Sequence, residues 1–129
     1  MTTKLVYLAA IAVAALLSTG PARADADAAH GAAIFKQTCG VCHSTQIGVN
    51  QIGPSLFGVV GRPVAVLPDY VYSEKLRSVR KDWGAWDETT LDSYLLNPRV
   101  VLHGVKMAFK GLPRAQDRAD VIAYLRTLK

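Results

Sequence analysis

Apolar positions fall along the chain in two different ways. Leu5 to Leu17 is an unbroken apolar run of 13 residues with Lys4 before it and Ser18, Gly20 and Pro21 after it. Beyond residue 24 the apolar positions are spaced, and the spacing predicts helices. Asp25 and Asp27 are candidate N-caps for a helix over Ala28–Gln37, with Ile34 and Phe35 toward its end. Ser73–Arg80 predicts a short helix. Asp87 is placed to cap Glu88–Leu96, whose Leu91, Tyr94 and Leu95 share a face, and Asn97-Pro98 predicts its stop. The last helix, Arg114–Thr127, is expected to carry an apolar stripe of Val121, Tyr124, Leu125 and Leu128. Between these lie two long stretches without period. Residues 44–71 hold Gly48, Gly53, Gly58 and Gly61 with Pro54, Pro63 and Pro68, which punctuate loop, and Val100–Leu112 reads as a second loop. No pair of segments predicts strands. The fold class is all-α, three to four helices joined by long loops. An irregular stretch as long as 44–71 calls for something large to organise it.

The first run has the plan of a secretory leader: a basic start, an apolar stretch, then Ala22-Arg23-Ala24 with small residues where a signal peptidase reads. A helix that spans a membrane needs ~20 apolar residues, more than this run supplies. We expect residues 1–24 to be removed and 25–129 to form one domain in the periplasm. The whole chain has a formal charge of +5; without Lys4 and Arg23 it is +3. That mild excess, with no basic run interleaved with aromatics, argues against nucleic acid as a partner.

Cys39 and Cys42 are the only cysteines. In an exported chain they would ordinarily suggest a disulfide. The residue that follows changes the reading: Cys39-Gly40-Val41-Cys42-His43 has the C-x-x-C-H spacing of covalent haem attachment. Two thiols three residues apart lie on one side of a helical turn and can each add to one haem vinyl group, and the imidazole after them reaches the iron. Gly40 and Val41 leave room for the macrocycle. A redox dithiol needs a strand-to-helix setting, a structural zinc needs four ligands, and a disulfide leaves His43 unexplained. One covalent haem c is therefore expected, with His43 on the iron. For the sixth position the candidates are Met107, His103, His30 and lysines. Met107 is the only methionine left after export and lies in the second loop, where it can fold over the other haem face. A thioether favours ferrous iron. Two ionised propionates would bring the total charge close to neutral.

With these residues in place, nearly all of the chain beyond the leader resembles the class I cytochromes c, the family of mitochondrial cytochrome c and its bacterial periplasmic relatives. Gly31 and Phe35 match the N-terminal helix positions that pack on the last helix, and Val121 and Tyr124 match their partners. Gly53-Pro54 matches the turn under the proximal ligand, and the resemblance implies that the Pro54 carbonyl holds His43 Nδ1–H. Leu56, Gly58, Gly61 and Arg62 fit the next segment, with Arg62 facing a propionate. Tyr72 and Trp86 match propionate donors, and Tyr94 a tyrosine near the methionine sulfur. Asn97-Pro98 and Lys106-Met107-Ala108-Phe109-Lys110-Gly111 match the methionine loop. Three departures stand out. His103 replaces the usual proline, Val105 replaces a threonine that helps hold a propionate, and Arg77–Ala85 is about three residues longer than the mitochondrial pattern.

The resemblance implies a carrier of single electrons rather than an enzyme. Two filled axial positions leave the iron only outer-sphere transfer. Lys36, Lys106, Lys110, Arg99 and Arg114 would face redox partners with acidic docking faces. Membranes would be met only through partner complexes, and the expected state is a monomer. Two alternatives remain at this point: a haem sensor or peroxidase-like enzyme with a labile Met107, and a dedicated subunit of a periplasmic dehydrogenase.

Overall fold

The computed structural model describes residues 24–129, so the expected leader lies outside the described residues. The Asp27 carboxylate accepts the N–H groups of Ala29 (2.8 Å) and His30 (3.1 Å) and starts α1, Ala28–Thr38. After the long loop come α2 (Glu74–Ser78) and α3 (Arg80–Trp83), then α4 (Glu88–Leu96), α5 (Pro98–Val101) and α6 (Ala115–Thr127). Among the described residues the extended backbone amounts to one isolated bridge between Pro63 and Ala85. The fold is all-α as expected.

Two helical pieces exceed the expected count, each for a local reason. The segment expected as one helix over Ser73–Arg80 starts when Ser73 Oγ caps Leu76 N–H at 3.2 Å, but Val79 relaxes to ψ −1°. A second turn, α3, then restarts and ends at Gly84, whose φ is +65°. The other piece corrects the reading of Asn97-Pro98. Proline does stop α4, yet its fixed φ also suits the first position of a new helix. Asn97 Oδ1 accepts Val100 N–H at 3.3 Å, and α5 begins where only loop was expected. Arg114 is the cap residue of α6 rather than its first turn, and its side chain makes no capping bond.

The frame of the molecule is α1 crossed on α6. Gly31 permits it: a Cβ there would stand 1.9 Å from the Asp120 carbonyl oxygen, so the two backbones touch. Next to that contact Phe35 meets Tyr124 with ring centroids 5.3 Å apart, and Val121 is fully buried. Helix α4 packs on the other side of α6. There Arg118, 7% exposed, donates from Nε to Asp92 Oδ1 (2.8 Å) and from Nη1 to the carbonyls of Leu112 and Pro113 (2.9 and 3.0 Å). One guanidinium thus ties α4 to α6 and to the end of the second loop. Leu112 N–H adds a bond to Leu95 O at 2.7 Å.

The long loop carries more order of its own than its composition suggested. Ser44 and Ser55 are buried. Asn50 Oδ1 accepts Ser55 N–H (2.9 Å), Ser55 Oγ donates to Gln46 O (2.6 Å), and Leu56 N–H donates to Ser44 O (2.9 Å). Gly58 N–H reaches the carbonyl of Leu128 at 2.7 Å, which fastens the loop to the last residues of the chain. Every buried side-chain nitrogen and oxygen among the described residues has a partner, as native cores require.

Candidate cofactor site

The site begins where α1 ends. Cys39 N–H and Gly40 N–H both reach Phe35 O at 2.8 Å, and the N–H groups of Cys42 and His43 return to Cys39 O at 3.0 and 2.9 Å. The backbone therefore keeps turning past the helix, and Cys39, Cys42 and His43 follow one another round a single turn. Cys39 and Cys42 form no disulfide with each other. Burial pushes the Cys39 thiol above its usual value, a Thr38 hydroxyl at 3.4 Å working weakly against it. Gly40 sits close over the helix, with a hypothetical Cβ 3.3 Å from Lys36 O. Val41 points outward and is 67% exposed.

His43 is held from two sides. Its Nδ1 lies 2.8 Å from Pro54 O, and a carbonyl can only accept, so Nδ1 carries the proton and Nε2 presents a lone pair. Burial also lowers the affinity of the ring for a second proton, more than the Pro54 carbonyl raises it; Arg62 adds to the lowering. The ring is thus kept neutral, the form that ligates a metal. Beneath it lies Gly53, where any Cβ would be 2.3 Å from His43 Cε1. Gly53 N–H donates to Cys42 O at 2.8 Å, which locks the two segments together. A proton-bearing Nδ1, a bare Nε2 and two cysteines on the preceding turn fit a covalently attached haem. They do not fit a closed four-ligand metal centre, and the described residues hold no cluster of three or more His, Cys, Asp or Glu that could make one.

The other residues expected at the site divide into groups. Tyr72, Trp86 and Tyr94 are all buried. Trp86 and Tyr94 pack with ring centroids 5.0 Å apart, and Trp83 sits edge-on to both, at 5.7 and 5.9 Å. Trp83 was absent from the expected set; it belongs to α3, in the lengthened segment. Burial pushes the Tyr94 hydroxyl up to about 12 and raises that of Tyr72. Arg62 donates to Phe57 O and Ser55 O, each at 3.0 Å, so it braces the loop with two of its five donors and keeps three for other acceptors. Met107 is half-buried and packs, with Val105 and Phe109, on the core that contains Trp86 and Tyr94. Its loop is lightly tied: between His103 and Lys110 the one backbone bond to a loop or cap partner is Val105 N–H to Leu102 O, 3.3 Å. Lys36, Arg99, Lys106, Lys110 and Arg114 are exposed, and Arg114 has a 3.8 Å contact to Asp117.

Two features of the frame were not legible in the residues. Asn50 and the buried serines look like any polar loop. Arg118 and Asp120 look like the solvent side of a helix, and only the arrival of α4 and α1 turns them inward.

The pattern of the cytochrome c family matches residues 28–129. A cytochrome c of Euglena viridis is 42% identical over 103 residues, covering 80% of this chain and 98% of its own. A cytochrome c2 of Rhodopila globiformis is 42% identical, with 80% of this chain and 94% of the relative covered. A cytochrome c-type cyt cy of Rhodobacter capsulatus is also 42% identical over 88% of this chain, which spans 55% of that relative's length. The chain belongs to the cytochrome c family, a carrier of electrons rather than an enzyme, with one covalently bound haem c, and the presence of Cys39 and Cys42 in a C-x-x-C-H spacing is consistent with that.

Proposed function

We propose that residues 25–129 work as a soluble periplasmic electron carrier, freed from residues 1–24 on export, with His43 and Met107 as the two residues that would hold the haem iron. The observation that carries this reading is His43. Its Nδ1 is tied to Pro54 O at 2.8 Å, Gly53 closes the space beneath it, and burial keeps it neutral. The bound group supplies an iron that changes by one electron between ferric and ferrous. The chain keeps the imidazole in one tautomer and one orientation in both states, so little has to rearrange when an electron moves. Met107 would be the second residue to hold the iron and would exclude small ligands. Trp86 and Tyr94 exclude water, and Tyr72 with the free donors of Arg62 supplies hydrogen bonds to propionates. The exposed basic residues steer partners with acidic faces.

The reading is tested on purified holoprotein. Intact-mass analysis of protein made in a Gram-negative host should give a chain that begins at Asp25 and carries one haem through acid-organic extraction. The ferric spectrum should show the methionine-to-iron charge-transfer band, and Met107→Ala should lack it while keeping the haem. A wild-type protein without that band, or one that binds cyanide or carbon monoxide as fast as Met107→Ala does, would instead favour a sensor or peroxidase-like role with an open sixth position.

A further inference from the structure

At the N-terminal end of α1, away from the cysteines, His30 Nδ1 lies 2.7 Å from Asp120 Oδ2 of α6. The other carboxylate oxygen of Asp120 accepts Asp27 N–H at 2.8 Å and Gln116 Nε2 at 2.9 Å. The Asp120 side chain is 3% exposed, whereas that of His30 is 51% exposed. A buried carboxylate therefore receives three hydrogen bonds, and one donor is an imidazole in open exchange with water. We propose that His30 and Asp120 form a pH-gated clasp on the α1–α6 junction, tight while His30 is an imidazolium and slackened when it loses its proton.

The charges around the pair favour this. The groups facing His30 are Asp120 and Asp117 on α6 and Asp27 at the start of α1, all acidic. Arg114, which precedes α6, lies 3.8 Å from Asp117. The Asp120 hydrogen bond is the chief reason that His30 holds its proton above the ordinary histidine range; the small burial of the ring opposes it. Burial by itself would push Asp120 up. The bonds from His30, Asp27 N–H and Gln116 override that and hold it below the usual carboxylate value. The signs set a window. A raised histidine stabilises the fold fully below its unfolded value of ~6.5, and the benefit is lost as pH rises through the raised folded value. A lowered aspartate stabilises above its unfolded value near ~3.9, and that benefit is lost as pH falls through the lowered folded value. The clasp is therefore strongest in mildly acidic solution. Neutral His30 can still donate from Nδ1, so the charge is lost on the alkaline side and the hydrogen bond is kept. The junction matters because Gly31, the next residue, touches the Asp120 backbone, and α1 leads directly into Cys39. The clasp sets how firmly the anchor helix is docked without contact with the iron.

The experiment uses holoprotein and the variants His30→Gln and Asp120→Asn. Glutamine keeps a neutral donor and lacks the charge. Urea midpoints are followed by far-ultraviolet circular dichroism at pH about 5 and about 8.5, either side of an ordinary histidine. The wild type should exceed His30→Gln at the lower pH, and the gap should shrink at the higher. The wild-type His30 resonance should titrate above the ordinary range and return to it in Asp120→Asn. The Soret and near-infrared bands should be the same in wild type and His30→Gln, which separates the clasp from any change of axial ligand. If Asp120→Asn does not fold, His30→Gln and the wild-type titration decide the matter alone. An equal gap at both pH values, or a His30 that titrates like a free histidine, overturns the proposal.

Discussion

Replacing Gly31 with alanine adds one methyl group where α1 meets α6. The new Cβ would stand 1.9 Å from the Asp120 oxygen, 2.4 Å from its carbonyl carbon and 2.9 Å from Val121 N. All three are backbone atoms of a helix, so none can swing away. Ordinary contact begins at 3.4 Å, and the axes must part by about 1.5 Å to reach it. A gap of that size is too narrow for water, yet it removes much of the dispersion between Phe35, Tyr124 and Val121, since even 0.5–1 Å forfeits roughly a quarter to a half of each contact. It also stretches the 2.7 Å bond between His30 and Asp120. Overpacking of this kind costs typically ~1–3 kcal/mol and more where backbone is struck. Alanine returns up to ~1 kcal/mol as the better helix former. The net expectation is a loss of about 1–3 kcal/mol. Urea denaturation of the holoprotein, followed by circular dichroism in the far ultraviolet, measures it. An alanine variant as stable as wild type would mean that the helices do not touch at Gly31, and the account of the frame would fail.

Gly53→Ala drives a Cβ into the His43 ring while Pro54 O holds its other side, so the variant should show weakened axial ligation: a blue-shifted, partly high-spin ferric spectrum, with haem still covalently bound. Retention of the wild-type spectrum would contradict the contact at 2.3 Å. Arg118→Met keeps the volume but strips donors from Asp92, Leu112 and Pro113; a stability loss of roughly 2–4 kcal/mol is expected by chemical denaturation. His103→Pro restores the stiffer residue in a loop with little backbone bonding, so the ferric methionine band should survive to higher pH than in wild type, and an unchanged midpoint would show that the loop is held in another way. Electron-transfer rates with an acidic redox protein should fall as salt rises, because exposed charges are screened over ~8 Å at physiological ionic strength, and charge reversal at Lys36 or Lys106 should slow association at low salt and flatten that fall.

Local signals were readable where one residue decides a structure. Asp27 and Asp87 cap the helices that follow them, and C-x-x-C-H admits few chemistries. The stripe on α6 could be counted, and Gly31 and Phe35 were legible through the family resemblance. What escaped reading depends on neighbours from elsewhere in the chain. Asn97-Pro98 ends one helix and begins another because the same residue pair serves both purposes, and sequence alone favours the first. Trp83 joins the aromatic group only because α3 forms after Val79. Arg118 and Asp120 are polar residues on a mostly polar helix, and nothing in their spacing says that α4 and α1 will cover them. The loop over 44–71 read as an empty frame because hydrogen bonds such as Asn50 to Ser55 leave no periodic trace.

The α1–α6 junction joins residues separated by 90 positions. During synthesis the first helix and the haem-anchoring turn leave the ribosome long before the residues that will dock on them. Gly31 has nothing to lie against until Asp120 and Val121 exist, and the long loop cannot be fastened until Leu128 arrives. The frame is completed only by α6 and Leu128, so the docking of α1 waits for them. Until α6 docks, Cys39, Cys42 and His43 sit on an open chain, accessible to whatever attaches the haem after export. A truncation that removes only the last helix would leave the attachment sequence whole and deprive it of the structure that afterwards encloses it.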